Sequence, residues 1–214
     1  MEGFSGCIHM DADFFFSALL ADPNVLPSYC NAHARRRFEQ VKKLAKKNGL
    51  AHEAIRYYKK LYRVERYAKN NNMTAEQRYQ YRQEHAKPIM DEFYSWLKKH
   101  QPLVLPESSL GKAFAYAIKY EAGLCRYLED GRLEIDNNHT EREIKPIVIA
   151  RKNFMFAYSV AGAHAICMHM SLIRSAIANG LDPYQYYHAL LKKIPHCQEV
   201  ADYEALLPWN IDLS

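Results

Sequence analysis

Two carboxylates stand where they could hold a divalent ion. Asp11 closes a short apolar stretch, Gly6-Cys7-Ile8-His9-Met10, and a strand ending there would hold it rigidly at the edge of a sheet. Asp13 has the same claim, and a turn-forming role competes for both. Glu141 follows Asn138 at capping-box spacing, which by itself favours a cap; the competing reading has it point off its helix toward magnesium, which needs only one or two carboxylates beside water and phosphate oxygens. The run Arg35-Arg36-Arg37 offers three guanidiniums that can make paired hydrogen bonds to phosphates, with a solvated helix face as the alternative. Arg151-Lys152-Asn153-Phe154 repeats that character in what reads as a basic-aromatic loop from Arg151 to Phe156. Cys30-Asn31-Ala32-His33 joins two transition-metal ligand types, but no second pair stands at zinc-finger spacing. His33 is therefore expected to contact DNA or to cap a strand end. Tyr57, Tyr58, Tyr62, Tyr67, Tyr79 and Tyr81 could stack on bases, although such helical spacing is more often that of a core.

The elements that must position these residues can be read from periodicity and caps. Gly6 to Asp11 and Val25 to Cys30 read as short strands, separated by an apolar helix-like stretch from Phe14 to Ala21. Ala34, Phe38, Val41 and Ala45 then recur at helical spacing, with Lys42, Lys43, Lys46 and Lys47 on the remaining surface until Asn48-Gly49. Leu50, Ala54, Tyr57, Leu61, Val64 and Ala68 form a coiled-coil-like seam. Thr74 opens a third helix that is expected to bend at Pro88, and Ser108 or Ser109 opens a fourth that runs to Leu128. Arg132 to Ile135 reads as a short strand or extended turn, and Asp136-Asn137-Asn138 as a helix entry. Two further helices start at about Ser159 and at Asp182-Pro183, and Leu206-Leu207-Pro208-Trp209 reads as a docking segment.

Composition narrows the class. The chain has 214 residues, 49% of them apolar and 25% charged, enough for a sizeable core and unlike a disordered chain. Five scattered cysteines without CxxC pairs suit reduced thiols better than a disulfide framework or structural zinc. No uninterrupted apolar run approaches the roughly 18 residues of a membrane span, and Met1-Glu2-Gly3 does not open a signal peptide. A cytoplasmic, non-membrane protein is expected. The net charge of +5 is uneven: residues 1–30 carry −4, residues 31–70 carry +10 and the remainder −1. A basic block of that size is what a phosphate-binding surface would supply.

Several ordered blocks resemble one family, the bacterial transposases of the insertion sequence sixty-six group. They are Cys30 to Phe38, Leu105-Pro106 with Ser109 to Ala113, Asp130 to Asn138, Glu141-Arg142, Arg151 to Asn153, Asn179 to Pro183 and Leu206 to Trp209. Tyr120 stands where the family usually has tryptophan. The resemblance implies an α+β, mostly helical fold: a partial ribonuclease-H-like core with a large helical insertion. The expected segments are 1–33 (partial core), 34–129 (insertion), 130–195 (rest of the core, with the catalytic-Glu helix) and 196–214 (tail). It implies Asp11 and Glu141 as catalytic metal ligands, and Arg35, Arg36, Arg151 and Lys152 as DNA contacts. It also implies Mg2+ or Mn2+, as a two-metal site in a complete core, and the reaction of DNA cleavage and strand transfer. The family's first catalytic Asp and its preceding strands have no counterpart here, so this chain is expected to be a partial transposase, inactive by itself. The implied partners are insertion-sequence ends, a second copy or a full-length transposase, near the nucleoid. A non-catalytic remnant that modulates a full-length transposase is the alternative, and a helical interaction protein using the 50–68 seam is a third.

Overall fold

The computed structural model describes residues 4–12, 19–44, 48–154 and 157–213. Met1 to Gly3, Asp13, the helix-like reading of Phe14 to Ala18, the positions Ala45, Lys46 and Lys47, and Phe156 of the basic loop lie outside them. The described chain is mostly helical with one small sheet, and it divides into two compact units, Met1–Asn138 and His139–Ser214.

In the first unit β1 (Gly6–Met10) and β2 (Val25–Tyr29) pair in parallel, Gly6 opposite Val25 and Met10 opposite Tyr29. Parallel strands end at the same edge, so the residues that follow them, Asp11 and Cys30, become neighbours. The Cys30 N–H donates to the Met10 carbonyl at 3.0 Å, extending the ladder by one step.

Helix α1 (Asn31–Leu44) starts directly after Cys30 and buries Ala34 and Phe38, one turn apart. In α2 (Leu50–Asn70) the seam residues Ala54, Leu61, Val64 and Ala68 are buried and Leu50 and Tyr57 pack beside them. The seam is consumed within this unit's own core, which overturns its reading as an outward interaction face. Tyr58 is buried and Tyr57 packs on Phe93 and Trp96, so these two rings serve the core rather than a nucleic acid.

α3 (Ala75–His85) is capped by Thr74, which accepts from the Gln77 N–H, while Gln77 returns a bond to the Thr74 N–H. The bend expected at Pro88 is a break. α4 (Lys87–His100) begins afresh with Pro88 in its first turn, where a missing N–H costs nothing. Ser108 caps α5 (Ser109–Lys119), but the helix ends at Tyr120 instead of running on; α6 (Glu121–Cys125) and a 3-10 turn, Arg126–Leu128, follow. Gly123 of α6 lies so close to β2 that a Cβ would come 2.3 Å from the Tyr29 ring. Arg132 to Ile135 is a turn and not a strand, and the Ile135 carbonyl accepts from the Asn31 N–H at 3.1 Å. Gly131, immediately before it, is required there, since a Cβ would meet the Ala75 carbonyl oxygen at 1.8 Å.

Two features hold this unit together. Phe38 is fully buried among Tyr58, Phe93 and Phe114, joining α1, α2, α4 and α5. Arg82, also fully buried, grips Glu65 of α2 with two nitrogens at 2.9 and 2.6 Å. Its remaining nitrogen donates to the carbonyls of Tyr127, Leu133 and Asp130.

The second unit contains α7 (Asn138–Phe154, entering from Asn138), α8 (Val160–Ala178), α9 (Pro183–Lys193) and α10 (Val200–Ala205). The basic-aromatic segment expected as a loop is, from Arg151 to Phe154, the last turn of α7. Ser159 and Asp182 cap α8 and α9 as their sequence contexts predict. The small core is Ala176, Tyr186, Leu190 and Leu206, and the Tyr186 hydroxyl donates to the Leu206 carbonyl at 3.1 Å. Leu206 and Pro208 dock, while Trp209 remains exposed. Arg174 of α8 pairs with Glu143 of α7. α8 is long and apolar enough by length and composition to cross a membrane, although it carries His164, His169 and Arg174, and one such helix does not establish a membrane.

Candidate functional site

The shared strand edge gathers a polar cluster in the first unit. Asp11 follows β1, Cys30 follows β2, and His33 lies in the first turn of α1. The Asp11 carboxylate and His33 Nδ1 are 2.7 Å apart, and one ligand atom from each of Asp11, Cys30 and His33 falls within 4.8 Å of the others. Asn137, from the segment before α7, completes the arrangement: its backbone N–H donates to Cys30 Sγ at 3.5 Å and its side-chain Nδ2 to Asp11 Oδ1 at 3.4 Å. Cys30 is sealed from solvent, whereas the Asp11 and His33 side chains keep 37% and 21% exposure. The cluster is therefore open on its carboxylate and imidazole side.

Electrostatics follow from that burial. Desolvation pushes the Cys30 thiol up, opposed by the N–H groups of Asn137, His33 and Ala32 that face the sulfur. His9, on β1, is pushed down by burial, against the pull of Asp136, Glu134 and Asp11. Asp136 accepts from the Tyr62 hydroxyl at 2.8 Å, and burial followed by that carboxylate raises the phenol well above its ordinary value. Asn137 Oδ1 and His9 Nε2 are buried without a hydrogen-bond partner.

The three consecutive arginines do not act as one clamp, because successive helical residues point about 100° apart. Arg35 reaches Glu39 at 3.4 Å and lies over the Tyr62 ring, Arg37 sits 4.0 Å from the Tyr116 centroid, and Arg36 is exposed. Glu141 is exposed in the first turn of α7, and Arg151 and Lys152 are exposed in its last. These three belong to the second unit and Asp11, Arg35 and Arg36 to the first. His33 stands at the end of β1, where its Nδ1 meets Asp11; Cys30 itself precedes the helix, its carbonyl accepting from the His33 and Ala34 N–H groups. Sequence reasoning missed Asn137 and His9. Asp136-Asn137-Asn138 was legible as a helix entry, but nothing local links it to residues a hundred positions earlier.

Residues 1–165 match the family model described as Transposase IS66 family, and residues 171–209 match the IS66 C-terminal element. The chain belongs to the IS66 transposase family. Among curated relatives it is 29% identical to the uncharacterized protein y4hP of Sinorhizobium fredii, over 98% of this chain and 40% of that one. To y4jD of the same organism it is 35% identical, over 86% of this chain and 35% of the relative. The chain thus spans about two fifths of the length of these relatives. No solved structure matches it. Within the IS66 transposase match lie Asp11, the Cys30–His33 segment, Glu141, Arg151 and Lys152, whereas α9 and the Leu206 docking segment fall in the C-terminal element.

Proposed function

We propose that this chain supplies part of the catalytic core of a transposase that cleaves and joins DNA at insertion-sequence ends. The observation that carries the reading is an oriented carboxylate in an IS66 transposase match: Asp11, at the end of a parallel strand, is held by Asn137 and His33 with part of its surface open. In this reading the core is ribonuclease-H-like, and Asp11 and Glu141 are ligands for Mg2+ or Mn2+. A half-buried carboxylate suits such an ion, which takes few protein ligands and completes its shell with water and phosphate oxygens. When bound, the metal would supply activation of water or a 3′-hydroxyl and stabilise the leaving oxygen. The protein's own part is to hold Asp11 in register through the strand and Asn137, and to present Glu141 from the first turn of α7. Arg35, Arg36, Arg151 and Lys152 bind DNA phosphates and leave the sequence choice to other groups. Two carboxylates are too few for two ions, so the 214 residues by themselves are inactive and act with a second copy or a longer transposase.

The test is binding to duplexes that carry insertion-sequence ends, with salt varied, followed by a strand-transfer assay. Four phosphate contacts give an affinity loss of about a hundredfold between 50 and 200 mM salt. No strand transfer is expected from the 214 residues alone. Metal-dependent strand transfer by this chain, abolished by Glu141→Ala, would overturn the inactivity. Salt-dependent DNA binding with no response to Mg2+ or Mn2+ would favour a non-catalytic remnant that modulates a full-length transposase. No DNA affinity at moderate salt would overturn the reading.

A further inference from the structure

We propose that Asp11, Cys30 and His33 form a binding site for a thiophilic divalent cation of the zinc class. It shares Asp11 with the proposed magnesium ligand, but its donor chemistry is different and it does not require Glu141. Three donors of different type, a carboxylate oxygen, a thiol sulfur and an imidazole nitrogen, converge with all ligand atoms within 4.8 Å. Zinc bonds of about 2.0 Å to N and O and about 2.3 Å to S place tetrahedral ligands roughly 3.3–3.5 Å apart. Asp11 and His33, 2.7 Å apart as a hydrogen-bonded pair, must open by about half an ångström to admit the ion, and the widest separation, at most 4.8 Å, must close by about an ångström, both within reach of side-chain rotation at the two half-buried members. Magnesium demands an oxygen shell, so sulfur and nitrogen donors select zinc or cobalt instead.

The surroundings are those a bound thiolate needs. The sulfur faces the N–H groups of Asn137, His33 and Ala32, which stabilise negative charge without a neighbouring cation. Asn137 also bonds Asp11, so one residue orients two of the three donors, the task of a supporting shell around a metal. Its Oδ1 is a buried polar atom beside the cluster with no hydrogen-bond partner. The fold makes the site by construction: parallel strands align positions 11 and 30, and one helical turn brings in position 33. A nucleophilic thiol is the competing use of Cys, His and Asp. It does not suit a sulfur with 0% exposure, which a bulky electrophile cannot reach whereas a single ion entering past Asp11 and His33 can.

Cobalt titration of the metal-free chain tests the proposal, because thiolate ligation produces a sulfur-to-cobalt charge-transfer band. One equivalent is expected to generate that band, zinc to bleach it, and Glu141→Ala to leave it unchanged. Cys30→Ser, nearly isosteric and still able to accept the N–H bonds, should lose the band with its helical circular dichroism intact. His33→Asn should weaken cobalt binding at least about tenfold. Absence of the band, or its persistence in Cys30→Ser, would overturn the site. If the catalytic reading fails while this one holds, the cobalt band survives and the chain shows no response to Mn2+ at Glu141.

Discussion

Arg82→Met is expected to destabilise the first unit by about 3–5 kcal/mol, measured as the loss in urea unfolding free energy reported by Trp96. The guanidinium has no exposed surface, and Glu65 keeps only 11%. Removing the cation leaves a nearly buried carboxylate uncompensated and three carbonyls without their donor, and methionine restores only the packing. Arg82→Lys should rescue little, because an ammonium cannot reproduce two parallel bonds to Glu65 while reaching three carbonyls on the far side. The double variant Arg82→Met with Glu65→Leu separates the terms. It should recover part of the loss, since the stranded charge is gone, but the carbonyls of Tyr127, Asp130 and Leu133 still lack a partner. Full recovery would show that those carbonyl bonds contribute nothing, and a loss under about 1 kcal/mol in the single variant would contradict the role assigned to Arg82.

Phe38→Ala should cost about 3–5 kcal/mol by the same measurement. The ring is fully buried, with neighbouring centroids at 6.2, 6.3 and 5.8 Å on Tyr58, Phe93 and Phe114, so its removal leaves a cavity bounded by three helices that cannot all move in. Phe38→Leu should retain much of the stability. The prediction bears on the site because α1 carries Phe38 together with His33, Arg35 and Arg36. Partial unfolding around Phe38→Ala should weaken DNA affinity and the cobalt band together. Wild-type stability would mean that α1 is not anchored by this ring.

These two residues also mark the limits of what the sequence made legible. Phe38 belongs to a helical repeat with Ala34, and repeats and caps are local signals: Thr74, Ser108, Ser159 and Asp182 each open the helix their context predicts. Arg82 has no such signal. It sits among polar residues of α3, and its carbonyl partners lie 45 to 51 positions away, so only the fold reveals that it is internal. The break at Tyr120 was hidden for a related reason. The apolar positions continue through it, and what sets α6 apart is its close approach to Tyr29, a residue of β2. Arg151 to Phe154 misled because composition suggested a loop where helical periodicity simply carried on. At the site, Cys30 and His33 were visible as a ligand pair lacking partners. The missing donor, Asp11, was separately visible at a strand end, and parallel strand pairing is the step that joins them.

The most direct test of a transposase core in this chain is a Mn2+ titration of isotopically labelled protein, following paramagnetic broadening of backbone amide resonances residue by residue. A shared ion site predicts that Asp11 and Glu141 lose intensity together at the lowest Mn2+ concentrations, and that Asp11→Asn abolishes the effect at both. Broadening at Asp11 while Glu141 stays sharp, or at neither, would contradict the assignment of Asp11 and Glu141 to one catalytic metal centre.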